Sequence, residues 1–183
     1  AQGIAIIVDP RNDSHLLMAQ MQVLFSKFHN RIVDWLRERG AAEQNIFTDA
    51  QRLVRWHYQW IILREFLPEV IGDALTDALL VGGSRYYRPA ADPFIPLEFA
   101  DAAYRYGHGQ LRESYRVRPG DPPVPLFPDL VGFRPVPASR VVDWGEFFDR
   151  PGRRPAQRAK KIDGRLCSSI MQLPHALTGD VEV

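Results

Sequence analysis

Two short stretches hold residues whose types and spacing suit chemistry. In the first, Glu98 to Leu111, His108 stands between Gly107 and Gly109. A helix here puts Leu97, Ala100, Tyr104, His108 and Leu111 on one face. That face should point inward, so His108 is expected to be partly buried. Each glycine inside a helix costs about 0.8–1 kcal/mol relative to alanine. Two such costs beside one imidazole suggest that something large and flat approaches the backbone. The alternative is a core histidine in a helix with two glycines at a packing contact. In the second stretch, Asp9-Pro10-Arg11-Asn12-Asp13, Pro10 fixes its own backbone and restricts Asp9. Arg11 is thereby held at a helix start, where a cation can stabilise negative charge on a departing oxygen. The alternative is a solvated turn arginine beside an aspartate.

Helices must position both stretches. Asp13 or Ser14 can cap a first helix in which Leu17, Met21, Leu24, Phe28, Ile32 and Trp35 recur at helical steps, with Gly40 as its stop. Thr48 and Gln51 have capping-box spacing and predict a second helix over Ala50 to Leu67. It is apolar almost all round and should be deeply buried, with Trp56 and Trp60 as core and Pro68 as its end or kink. A third helix is expected from Pro96 to Ser114. The seven prolines between Pro119 and Pro137 predict an extended surface segment, within bounds of 118–140. Short helices are expected near Val141 to Phe148 and Ala156 to Ile170. No alternating strand pattern of useful length occurs, so the fold class is mainly α.

The 183 residues suit one domain, and a hydrophobic fraction of 45% allows a sizeable core. With 23 basic and 22 acidic side chains, nucleic acid is not an expected partner. A single cysteine, Cys167, excludes an intrachain disulfide scaffold, yet leaves the compartment open. No apolar run approaches the roughly 18 to 20 residues of a membrane span. Ala1 to Val8 is too short for a whole signal peptide and lacks a basic flank. The chain begins without methionine and reads as a processed product, an expressed segment or a fragment. The basic cluster Arg150, Arg153, Arg154, Arg158, Lys160 and Lys161, interrupted by Asp149 and Asp163, reads as a solvated face.

Four motifs in register carry a resemblance. Asp9 to Asp13 is followed by Leu-Phe-Ser-Lys-Phe-His-Asn-Arg (Leu24 to Arg31). The Trp-rich helix then ends in Arg-Glu-Phe-Leu-Pro (Arg64 to Pro68), and Tyr-Arg-Tyr-Gly-His (Tyr104 to His108) completes the order. In order and spacing the chain resembles the animal haem peroxidase family of the peroxidase–cyclooxygenase superfamily. The resemblance runs from about Asp9 to His108, more weakly to Pro174, and looks closest to bacterial members. It implies a single incomplete haem peroxidase-like domain over residues 1–183. The flat group at Gly107 and Gly109 would then be haem. His108 resembles the proximal iron ligand, a neutral imidazole with its other nitrogen held by an acceptor. Arg11 resembles the distal arginine that helps to cleave the peroxide O–O bond. Arg105 resembles an arginine paired with a haem propionate, for which its forked donors are suited. Asn30 matches a signature position read as structural. Hydrogen peroxide and a small electron donor or halide are the implied substrates.

The departures from the family pattern also carry expectations. The family's distal histidine and calcium loop lie upstream of Arg11, and His15, His29, His57 and His175 do not occupy the distal position. A second chain or segment is expected to supply that histidine. The asparagine that orients the proximal histidine lies beyond the other end. Three residues after Arg11 stands Ser14, where some members carry a carboxylate esterified to haem, so haem b here should lack that link. The superfamily's fatty-acid dioxygenases have a radical-forming tyrosine three residues before the proximal histidine. Here that residue is Arg105, and Tyr104 and Tyr106 project about 100° to either side on a helix. Peroxidase chemistry is favoured over fatty-acid oxygenation. A helical portion of the fold with a structural or interaction role is the non-enzymatic alternative.

Overall fold

The computed structural model describes residues 6–89 and 92–178. It is mainly helical, as the periodicity predicts. The chain divides into two compact units, residues 23–94 and residues 1–22 with 95–183.

In the unit of residues 23–94, helix α1 (Leu16–Glu38) contributes all but its first turns. It stops at Gly40, whose φ of 73° lies in the left-handed region that favours glycine. Helix α2 (Glu43–Ile61) then starts seven residues before the predicted Ala50. Thr48 and Gln51 therefore lie inside α2 and cap nothing. The start is instead fixed by Glu43 in the first turn, where a negative charge complements the helix dipole. Glu43 also pairs with Arg37 at 2.5 Å, joining the ends of α1 and α2.

Pro68 has the effect its chemistry demands. It lacks an N–H and crowds the preceding turn. The chain accommodates it by widening into a π-turn, Ile62–Phe66, in which Leu67 N–H donates to the Ile62 carbonyl. Helix α3 (Leu67–Ile71) follows, and Gly72 at φ 83° separates it from α4 (Asp73–Gly82).

Deep burial of α2 is not observed. Only Ile46 and Ala50 are buried in it, while Trp56 and Trp60 are each 55% exposed and so are not core. The reason is geometric: a helix apolar all round needs neighbours on every side. Here α1 meets it through edge-on aromatic contacts, Phe25 with Tyr58 at 5.6 Å and Phe28 with His57 at 5.2 Å. Those contacts leave both tryptophans half exposed, with the Arg52 guanidinium 5.5 Å from the centre of the Trp56 ring.

The other unit holds a compact core of Leu17, Val117, Val124, Leu130 and Val142, against which Tyr115, Trp144 and Phe147 pack. Strands β1 (Ser114–Tyr115) and β2 (Val124–Pro125) pair antiparallel, with Tyr115 opposite Val124. The proline-rich segment is extended, as expected, but it is not confined to the surface. Extended chain alternates its side chains. Val124 and Leu126 accordingly point inward and are buried while Pro125 is exposed. Downstream, the segment runs beside the start of α1. Leu16 N–H donates to the Leu130 carbonyl at 2.8 Å, and Phe133 N–H to the Asp13 carbonyl at 2.8 Å. Gly132 is required at this crossing, because a Cβ there would lie 1.6 Å from the Asp13 carbonyl oxygen.

Leu130 is fully buried at the centre of this core. Leu130→Ala should therefore cost about 2–5 kcal/mol, the range for deleting a buried leucine side chain. Denaturant titration reads this directly, and an unchanged midpoint would show that Leu130 anchors nothing.

The two short helices predicted downstream are smaller than expected. The first is a 3₁₀ turn, Trp144–Glu146, capped by the Asp143 carboxylate, which accepts from Gly145 N–H at 2.9 Å. Of the second only α6 (Ser168–Met171) forms. The backbone before it is engaged elsewhere: Gln157 N–H donates to the Glu146 carbonyl and Lys160 N–H to that of Gln110. Helix α7 (His175–Thr178) ends the described chain.

Candidate functional site

Helix α5 (Leu97–Asp101) begins after Pro96, whose carbonyl accepts from Phe99 and Ala100 N–H. The predicted helix from Pro96 to Ser114 does not continue. Ala102, at φ −126° and ψ −73°, leaves the helical region, and the chain tightens into a 3₁₀ turn, Ala103–Gln110. Gly107 and Gly109 both weaken an α-helix across this stretch.

The tighter winding changes which residues share an edge. With three residues per turn, Arg105 and His108 eclipse, whereas the Tyr104–His108 face disappears. His108 is consequently exposed, and so is Tyr104, against the expectation of an inward face.

The imidazole is nevertheless oriented. His108 Nδ1 lies 3.0 Å from the Arg105 carbonyl oxygen. A carbonyl only accepts, so Nδ1 carries the hydrogen, and the neutral ring keeps its lone pair on Nε2. Metal-ligating histidines are typically held in this way, through the nitrogen that does not bind the metal. A Cβ added to Gly107 or Gly109 would meet nothing within 4 Å, and neither residue has a positive φ. Among the described residues, neither backbone conformation nor packing requires glycine at these positions. The packing-contact explanation for the two glycines therefore finds no contact.

Arg105 folds back over its own turn, with Nε donating to the Ala100 carbonyl at 3.2 Å and Nη2 at 3.8 Å from Asp101. The guanidinium stays accessible. Arg11 occupies the 3₁₀ turn Pro10–Asp13 ahead of α1, where Asp9 is the N-cap. The Asp9 carboxylate accepts from Arg11 N–H at 2.9 Å, from Nε at 3.0 Å and from Nη2 at 2.5 Å. The Arg11 side chain is 88% exposed. Its hydrogen bonds, first from the side chain and then from the backbone, draw the Asp9 carboxyl down to about 2. Ser14 Oγ is used locally, donating to the Arg11 carbonyl at 2.9 Å. The structure thus joins Arg105 to His108. Among the described residues, no hydrogen bond or ion pair links Arg11 to either.

Sequence reasoning missed one cluster. Glu146 is 3% exposed, and its carboxylate accepts from Arg116 Nε at 3.0 Å and from Arg154 Nη2 at 2.7 Å. The Arg154 hydrogen bond, above all, holds this carboxyl below its usual range. No local spacing links residues 116, 146 and 154, so no sequence signal marks the cluster. The basic cluster is correspondingly less free than a solvated face. Arg153, Arg154, Arg158 and Lys160 pair with Asp143, Glu146, Asp149 and Asp163. Among the described residues, no group of three or more His, Cys, Asp or Glu forms a metal cage, and no helix is long and apolar enough to cross a membrane.

The chain is mainly helical and holds His108, tied through Nδ1 to a backbone carbonyl, between two glycines with open space beside them. The profile described as Animal haem peroxidase matches residues 2–130, and the chain belongs to that family. It is 31% identical over 117 residues to the Chorion peroxidase of Drosophila melanogaster, covering 60% of this chain and 14% of that protein. It is 31% identical over 123 residues to the Peroxidase-like protein of Margaritifera margaritifera, covering 63% and 16%. It is 28% identical over 127 residues to the Thyroid peroxidase of Canis lupus familiaris, covering 64% and 13%. These relatives are animal proteins, so the expected likeness to bacterial members is not supported. The chain spans about one-seventh of the length of these three relatives.

Proposed function

We propose that this chain carries part of the haem site, with residues of both the proximal and the distal side, of a haem-dependent peroxidase that uses hydrogen peroxide as its oxidant. His108 is the axial iron ligand, Arg105 pairs with a haem propionate, and Arg11 stabilises charge on the departing peroxide oxygen. The observation that carries this reading is His108 itself: Nδ1 is tied to the Arg105 carbonyl, Nε2 is left as the ligating nitrogen, and open space lies beside Gly107 and Gly109. When bound, haem supplies the redox chemistry. The chain's own residues orient the imidazole, hold a cation in a fixed turn and present a fork for a carboxylate. The group is haem b without an ester link at position 14, because the serine there has no carboxylate to form one. The residues belong to a single haem peroxidase-like domain that they do not make up alone, with the calcium site outside this chain. A small molecule or halide donates the electrons. A second chain or segment supplies the distal histidine that takes the first peroxide proton. Arg105, standing where dioxygenases carry tyrosine, disfavours fatty-acid oxygenation.

The exposure of His108 favours one other reading, a helical portion of the fold with a structural or interaction role. The two separate in the full-length protein. Purification with haem should yield a Soret band and peroxide-dependent oxidation of a small phenolic donor. A protein that shows no Soret band after reconstitution with haem is the structural one.

A further inference from the structure

We propose that Lys160 is a positioning residue for His108, an inference that rests on reading His108 as an axial ligand. The turn Ala103–Gln110 has little to hold it. It buries none of its residues, its 3₁₀ hydrogen bonds are of poorer geometry than those of an α-helix, and it contains two glycines. The last carbonyls of any helix also lack partners within it.

Lys160 meets two of those carbonyls. Its backbone N–H donates to the Gln110 carbonyl at 2.9 Å, and its Nζ donates to the Gly109 carbonyl at 3.4 Å. A cation at a helix C-terminus is also electrostatically favoured. The ammonium is itself pinned by Asp163 Oδ1 at 2.5 Å and the Arg165 carbonyl at 2.7 Å, and its side chain is only 27% exposed.

Flanking bonds hold the backbone of this strap in place. Arg112 Nη1 donates to the Arg158 carbonyl at 3.0 Å, and Gln157 exchanges hydrogen bonds with the Arg116 backbone at 3.0 and 2.8 Å. The strap therefore survives loss of the ammonium. What Lys160 Nζ adds is a fixed charge on the carbonyl next to His108.

The test uses the full-length protein with haem bound and reads the iron–imidazole stretching vibration by resonance Raman spectroscopy, together with haem transfer to an acceptor globin. Lys160→Met keeps the apolar stem and the backbone clip. It should shift and broaden the band and speed haem loss on the order of 10- to 100-fold, the usual effect of removing a residue that supports a metal ligand. Lys160→Arg should restore the band position. If Lys160→Met does not fold, Asp163→Asn loosens the ammonium and should shift the same band by less. His108→Ala separates the two levels. A band lost in His108→Ala but unmoved in Lys160→Met, or in Asp163→Asn where that variant stands in, overturns the role of Lys160 alone. A band that persists in His108→Ala overturns the ligand assignment, and this inference with it.

Discussion

Replacing His108 with alanine in the full-length protein is expected to abolish the spectroscopic signature of an axial imidazole, whereas replacing His57 is expected to leave it intact. Both rings have Nδ1 tied to a backbone carbonyl, His108 to Arg105 at 3.0 Å and His57 to Leu53 at 2.8 Å. That bond alone therefore does not distinguish them. The surroundings do: His57, although also exposed, lies within α2 and packs edge-on against Phe28, whereas His108 stands between two glycines whose Cβ positions are open. His15 and His29 are poorer ligands still, since the Nε2 atom of each is buried under the chain's own atoms. Burial also pushes the His15 imidazole below its ordinary pKa. Because the His108 side chain is accessible, added imidazole should partly restore the signature in His108→Ala. Unchanged haem spectra in His108→Ala would show that the ligand lies elsewhere.

The second large effect is on rate. Peroxide cleavage needs a base for the first proton and a cation for the charge on the departing oxygen. In the proposed site the cation is Arg11. Removing one such stabilising donor costs on the order of 100- to 1,000-fold. Arg11→Ala should slow the loss of the resting haem spectrum after mixing with hydrogen peroxide by about that factor, with haem content little changed. Arg11→Lys should recover only part, because an ammonium cannot reproduce the two-pronged bond to Asp9.

The pairing also fixes the pH window. Asp9 is drawn down to about 2 from an ordinary value of 3.8. A lowered carboxyl contributes its pairing above the ordinary value and loses it only as pH falls toward the lowered one. The orientation of Arg11 should therefore be independent of pH in the neutral range, and Asp9→Asn should reduce the rate less than Arg11→Ala does. Stopped-flow absorbance measures all of these variants, and an unchanged rate in Arg11→Ala would reduce Arg11 to a turn residue.

Local chemistry was legible without a structure. The stop at Gly40, the change of winding before Pro68 and the Asp9–Arg11 turn each depend on residues within one or two turns. Backbone restriction and capping act over that range, so the side chains themselves determine the outcome. The four motifs in order also pointed to the haem peroxidase family, which the profile match over residues 2–130 supports.

Burial was decided by the tertiary structure alone. The apolar composition of α2 could not say which of its faces would be covered, and Trp56 and Trp60 remain exposed. The prolines that ruled out helix between Pro119 and Pro137 could not show that Val124, Leu126 and Leu130 would turn into a core beside α1. Nor could the helical period over Leu97 to Leu111 anticipate the break at Ala102 that moved His108 from a buried face to the edge it shares with Arg105. Glu146 gathered Arg116 and Arg154, and Lys160 reached Gly109, across separations of 8 to 51 residues. Such contacts form only where the path of the chain brings distant segments together, and neither periodicity nor motif encodes that path.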